Sequence, residues 1–153
     1  MKHFTSKNQK IGEYGELLAG EFLTKKGFII LEKNYTKKVG EIDIVAVKEN
    51  QLHFVEVKSL VLEKVSHETK MPDFDQIGNV SRETTKRVPR ETLEYTPFQN
   101  VSRSKLRKLG KTVSIYLSER RVSHETRWCI DVISVTFITD QKKAKIGVLW
   151  NVT

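Results

Sequence analysis

The nineteen residues Gly40-Glu41-Ile42-Asp43-Ile44-Val45-Ala46-Val47-Lys48-Glu49-Asn50-Gln51-Leu52-His53-Phe54-Val55-Glu56-Val57-Lys58 read as two strands and a tight connection. Alternation puts Glu41, Asp43, Val45 and Val47 on one face of the first arm and Ile42, Ile44 and Ala46 on the other. Both faces are largely apolar, as expected of a strand inside a sheet. In the second arm Leu52, Phe54, Glu56 and Lys58 share a face, opposite His53, Val55 and Val57. The short polar run Lys48–Gln51 predicts a hairpin. In an antiparallel pair the start of one strand faces the end of the next, so Asp43 and Glu56 should meet, with Lys58 pointing the same way. Each acid lies between aliphatic residues, where a buried charge is costly unless a cation compensates it.

Upstream, the spacing of Ile11, Tyr14, Leu18 and Phe22 predicts a helix over about 8–26 that Gly27 ends. The helical turn angle sets Gly12, Gly15, Glu16 and Ala19 on a flank of that stripe and sends Glu13 to solvent. Glycine costs a helix about 1 kcal/mol relative to alanine, so two on one flank imply close packing or a functional reason. A strand is expected over Phe28–Leu31.

Downstream, periodicity fails from Ser59 to about Tyr95, and a flexible insertion at about 60–95 is expected. It holds Val65-Ser66-His67-Glu68-Thr69, Val80-Ser81-Arg82-Glu83-Thr84 and Val88-Pro89-Arg90-Glu91-Thr92, and a further copy lies at Val122-Ser123-His124-Glu125-Thr126. Their irregular spacing excludes a solenoid. A helix over about 99–119, then strands at Trp128–Phe137 and Ile146–Trp150, complete an αβββ…αββ order. That order predicts one α/β domain over 1–153 with a mixed central sheet flanked by helices.

The chain has 153 residues, enough for one core. Its 27 Lys and Arg against 19 Asp and Glu give a formal charge of +8, which favours an anionic partner, nucleic acid first. Arg103, Lys105, Arg107, Lys108 and Lys111 crowd the predicted second helix with no acid between Gln99 and Ser118, a pattern suited to phosphate contacts or to a solvated face. No run approaches the roughly 20 apolar residues of a membrane span, and the N-terminus lacks a signal-peptide core, so a cytoplasmic protein with no membrane partner is expected. The single cysteine, Cys129, forms no internal disulfide and is expected to be a buried, inert thiol. His3, His53, His67 and His124 show none of the short spacings of a zinc site and receive no metal role.

Phosphodiester hydrolysis requires a divalent cation to activate water and neutralise developing charge, with a further cation near the phosphate. Mg²⁺ needs few carboxylates because it keeps several waters. Asp43, Glu56 and Lys58 meet that requirement, and the Val57 carbonyl offers one more hard oxygen; the same residue types also make ordinary surface ion pairs.

Gly12-Glu13-Tyr14-Gly15-Glu16-Leu17-Leu18-Ala19, Gly40-Glu41-Ile42-Asp43-Ile44-Val45-Ala46 and Phe54-Val55-Glu56-Val57-Lys58, in that order, resemble the YraN-like family of bacterial proteins. That family is similar to archaeal Holliday-junction resolvases and to the PD-(D/E)xK nucleases. The resemblance implies a restriction-endonuclease-like fold and a Mg²⁺-dependent endonuclease, with Mn²⁺ as a substitute, acting on DNA that includes junctions. It implies that Asp43 and Glu56 hold the metal, that Glu16 completes or orients the shell, and that Lys58 positions water or stabilises the phosphate. Ile42 stands where the superfamily carries proline. Resolvase-like relatives act as dimers, so a homodimer is implied as well. The alternatives are a non-catalytic nucleic-acid-binding module of the same fold and an interaction protein with a structural ion-pair network.

Overall fold

The computed structural model describes residues 7–62, 79–82, 98 and 101–152. Its elements run α1 (Lys7–Lys25), β1 (Ile29–Lys37), β2 (Gly40–Lys48), β3 (Gln51–Leu62), β4 (Asn79–Arg82), α2 (Arg103–Glu119), β5 (Arg127–Ile138) and β6 (Lys143–Leu149). The strands form one sheet in the order β1-β2-β3-β5-β6-β4. Pairing is antiparallel except for β3 with β5 and β4 with β6, so the sheet is mixed, as expected.

The β2–β3 connection is tighter than its four polar residues suggested. Lys48 already pairs with Gln51, and the two residues between them, Glu49 and Asn50, have φ of 50° and 59°. Two positive φ values in succession belong to the turn whose twist matches paired strands. β1 is more than twice its expected length and extends to Lys37, because its polar outer residues pair with β2 along the edge of the sheet.

The two helices cover opposite faces. Ile11, Ala19 and Leu23 of α1 pack with Ile44, Ala46, Val55, Ile133, Val135 and Phe137. Leu109, Val113 and Tyr116 of α2 pack with Tyr35, Ile42, Val45, Leu52, Phe54 and Ile130. Ile42 thus joins Val45 on the α2 side and not Ile44 and Ala46, so the alternation expected along β2 changes phase next to Asp43. β5 is buried from Cys129 to Phe137, and this central strand carries the junction between the two layers.

α1 is seated on Ile11, Gly15, Ala19 and Leu23, while Tyr14, Leu18 and Phe22 are only partly buried beside that line. The stripe expected from the large residues is therefore the shoulder of the contact. Small residues lie under the helix axis, where it comes nearest the sheet. A Cβ at Gly15 would fall 1.7 Å from Ser59 Oγ and 3.0 Å from Ser59 Cβ, whereas one at Gly12 meets nothing within 4 Å. Gly40 does the same for the other helix: its Cβ would lie 2.9 Å from Thr112 Oγ1 and 3.6 Å from the Lys108 carbonyl oxygen.

Within the segment expected to be an insertion, β3 continues through Leu62 and Asn79–Arg82 form an edge strand, so ordered pairing extends into it. The repeat copies at 65–69 and 88–92, and the remainder of that segment, lie outside the described residues. α2 begins at Arg103, later than expected, because Ser102 caps it by accepting the Lys105 N–H at 3.2 Å. β6 begins earlier than expected, at Lys143, after a 3₁₀ turn at Thr139–Gln141.

The two α1 glycines separate propensity from packing. Gly12→Ala should leave stability unchanged or raise it by up to about 1 kcal/mol. Gly15→Ala should lower it by about 1–3 kcal/mol despite the same propensity gain. Urea unfolding of both variants measures this, and equal effects would refute the close approach of α1 to β3.

Candidate active site

The β2–β3 ladder runs from Lys48 opposite Gln51 to Ile44 opposite Val55 and stops there. The next residues in line are Asp43 and Glu56. Beyond the last pair the strands part, and Asp43 fills the gap: its Oδ2 accepts the Val57 N–H at 2.6 Å, replacing the backbone carbonyl that a continued ladder would have supplied.

Glu56 is 2% exposed. Its Oε1 lies 2.9 Å from Lys58 Nζ and 3.2 Å from Lys105 Nζ. Its Oε2 is buried and has no hydrogen-bond partner among the described residues. A buried carboxylate oxygen without a partner is costly, and in a native site it calls for an ion or water. Lys58 comes from the same strand and Lys105 from the first turn of α2, so two elements bring ammonium groups to one oxygen.

Burial, followed by the charge of Glu56, raises the Asp43 carboxyl from 3.8 to about 7; the Val57 N–H pulls it back, and Glu16 and Glu41 push it further up. Glu16 itself sits above the usual carboxylate range because of burial, opposed by a hydrogen bond with the Asn34 side chain and reinforced by Glu41 and Glu13. Asn34 is placed by a left-handed backbone conformation within β1, φ 54°, which asparagine adopts more readily than most residues. Three acids on α1, β2 and β3 thus share one field in which negative charge is under-compensated. An oxygen-only donor set with an orphaned carboxylate oxygen fits a hard divalent cation such as Mg²⁺.

Asp43, Glu56 and Lys58 come together, and Glu16 is close enough to act on Asp43 electrostatically. Of the five basic residues read on the second helix, Lys105 turns onto Glu56, whereas Arg103, Arg107, Lys108 and Lys111 are exposed. The approach of Lys105 to the carboxylates was not legible in the chain, nor was the part of Asn34. One signal did exist: α2 has no acid in its first turn, where the helix dipole favours one, and carries Arg103 and Lys105 instead.

In the folded protein Asp43 holds a proton that the unfolded chain has released, so its contribution to stability falls as pH rises from about 4 to about 7 and is level above that. Asp43→Asn keeps an acceptor for Val57 and removes the charge. In chelator its margin over wild type should be about 1–3 kcal/mol larger at pH 8 than at pH 5, given ~1.4 kcal/mol per unit. Thermal unfolding at both pH values checks this, and a margin no larger at pH 8 would mean the carboxylate is already well compensated.

The model of the uncharacterised protein family UPF0102 matches residues 15–135. The chain is 31% identical over 153 residues to a UPF0102 protein of Helicobacter pylori (strain HPAG1), covering 100% of this chain and 99% of that one. It is 32% identical over 117 residues to one from Clostridioides difficile (strain 630), covering 76% of this chain and 94% of that one. A UPF0102 protein of Campylobacter fetus is 32% identical over 139 residues, 91% of each chain. The matched span runs from the α1 flank bearing Glu16 into β5 and includes Asp43, Glu56, Lys58 and Lys105, so the chain belongs to the UPF0102 family.

Proposed function

We propose that this protein is a Mg²⁺-dependent endonuclease of restriction-endonuclease-like fold that hydrolyses phosphodiester bonds in DNA. The observation that carries the reading is the pair of buried acids, Asp43 and Glu56, meeting where β2 and β3 part, with Glu56 Oε2 unpartnered and two lysines alongside. A buried carboxylate oxygen left unsatisfied is uncommon in a structural ion-pair network. A mixed sheet with one helix on each face and the acids at the parting of adjacent strands supports the fold assignment.

Asp43 and Glu56 would hold the cation, with Glu16 completing or orienting the set. The cation would supply a nucleophile at neutral pH and neutralise charge on the phosphate. The chain's own groups do the rest. Lys58, tethered two residues from Glu56, positions the attacked phosphate and stabilises its developing negative charge. Burial keeps the field of these groups strong by excluding water. The exposed cations Arg103, Arg107, Lys108 and Lys111 extend from the site along α2 and hold the DNA backbone. Four-way junctions are the substrate to try beside duplex, single-strand and flap DNA, and a homodimer would match their two-fold symmetry.

Cleavage of that panel in Mg²⁺, Mn²⁺ or EDTA decides the reading. Metal-dependent scission should fall to background in Asp43→Ala and by about 10²–10³-fold in Lys58→Ala. Salt-sensitive binding without cleavage, equal in all three proteins, would overturn the enzyme and leave a binding module. Separately, replacing Arg107 and Lys111 by alanine should weaken DNA binding and flatten the plot of log affinity against log salt by about 2, one for each phosphate no longer neutralised. An unchanged slope would move the DNA path off α2.

A further inference from the structure

A second convergence of polar side chains lies on the sheet face that carries α1. His53 of β3 and Cys129 of β5 are directly paired residues, and Asp131 follows two positions along β5. Cys129 Sγ is 3.3 Å from His53 Nδ1 and 3.5 Å from Asp131 Oδ1, and His53 Nδ1 is 2.6 Å from Asp131 Oδ2. Asp131 is fully buried, and its Oδ1 accepts the Asn151 N–H at 2.8 Å. Phe28 meets the His53 ring edge-on at 4.9 Å, and Trp150 stacks on Phe28 at 5.6 Å, so two aromatic rings close the cluster from outside.

We propose that His53, Cys129 and Asp131 form a Zn²⁺ site, separate from the oxygen-only site at Asp43 and Glu56. Ideal zinc bond lengths of about 2.0–2.3 Å in a tetrahedron put neighbouring N, O and S ligands about 3.3–3.6 Å apart. With Oδ2 as the ligating oxygen, the sulfur edges measure 3.3 Å to His53 Nδ1 and 3.7 Å to Asp131 Oδ2, close to those lengths. The imidazole–carboxylate edge is shorter because a hydrogen bond occupies it, and it opens when the ion replaces the proton. One thiolate, one imidazole and one carboxylate suit zinc and not Mg²⁺, which takes hard oxygens. Three protein ligands leave a fourth position for an exogenous ligand. The backbone N–H of Asn151 orients the ligating carboxylate from behind, and Phe28 and Trp150 shield the site, as outer partners of metal ligands commonly do.

Without the ion the same groups satisfy one another as thiol, imidazole and carboxylate, so the donor set is assembled before zinc enters. On binding, the thiol proton leaves to solvent and the imidazole carries its proton on Nε2. The expectation that no histidine serves a metal came from spacing in the chain; the three ligands lie on two distant strands, which no local motif records.

The test uses the full chain, stripped with chelator and titrated with Co²⁺. A sulfur-to-cobalt charge-transfer band should appear, saturate at a single equivalent, and disappear when Zn²⁺ is added. Zn²⁺ should also raise the melting temperature of wild type in the presence of excess Mg²⁺. Band and shift should be lost in Cys129→Ala and reduced at least tenfold in affinity in His53→Ala, yet persist in the double variant Asp43→Asn with Glu56→Gln. Absence of the band in wild type, which involves no mutant that might misfold, would overturn the site. So would a zinc-induced shift that survives Cys129→Ala or vanishes in the Asp43/Glu56 double variant, since either outcome puts the ion elsewhere.

Discussion

One hydrogen bond organises the candidate active site. Asp43 Oδ2 accepts the Val57 N–H at the point where β2 leaves β3. A side chain thereby does the work of a backbone carbonyl, and the strands can separate without orphaning a buried N–H. Separation opens the space into which Glu56 turns. It also commits a carboxylate to the interior at a place where the charges of Glu56, Glu16 and Glu41 share its sign. Everything close by answers to that concentration of negative charge: Lys58 folds back from the same strand, Lys105 descends from α2, and Asn34 adopts a left-handed conformation in reach of Glu16.

Two glycines set how closely the helices approach this arrangement. Gly15 lets α1 rest against Ser59 of β3, and Gly40 lets α2 rest against the start of β2. Glu16 follows Gly15, and Lys105 lies one helical turn before Lys108, whose carbonyl oxygen lies close to Gly40. Both helices therefore deliver their charged groups from positions adjacent to an approach that admits no side chain. At the C-terminal end of α2, Glu119 accepts hydrogen bonds from Tyr35 at 2.6 Å and Lys37 at 2.8 Å, and Arg120 pairs with Glu32 at 2.8 Å, which fastens that end of the helix to β1.

The hairpin, the long helices and the meeting of Asp43 with Glu56 were legible because each is a local pattern: period-two alternation, helical spacing, a short polar break. The phase change that moves Ile42 to the α2 side was not, since it depends on where β2 and β3 stop pairing. Nor was β4, a four-residue edge strand whose backbone pairing with β6 needs no apolar period. α1 was read from Ile11, Tyr14, Leu18 and Phe22, whereas its seat on the sheet runs along Ile11, Gly15, Ala19 and Leu23. The proximity of Lys105 to Glu56 and of His53 to Cys129 and Asp131 arises from tertiary closure, and residues so far apart leave no signature in spacing.

The parallel pairing of β3 with β5 has a consequence for how the protein comes into being. Partners across it, such as His53 and Cys129, stand 76 residues apart, so the middle of the sheet closes only after β5 has emerged from the ribosome. Until then β3, with Phe54 and Val55 destined for complete burial, offers an unpaired hydrophobic edge. Pairings of such long range form slowly, because loop closure must precede any gain from them. A nascent chain of this protein therefore carries its risk of aggregation on the strand that later holds its chemistry.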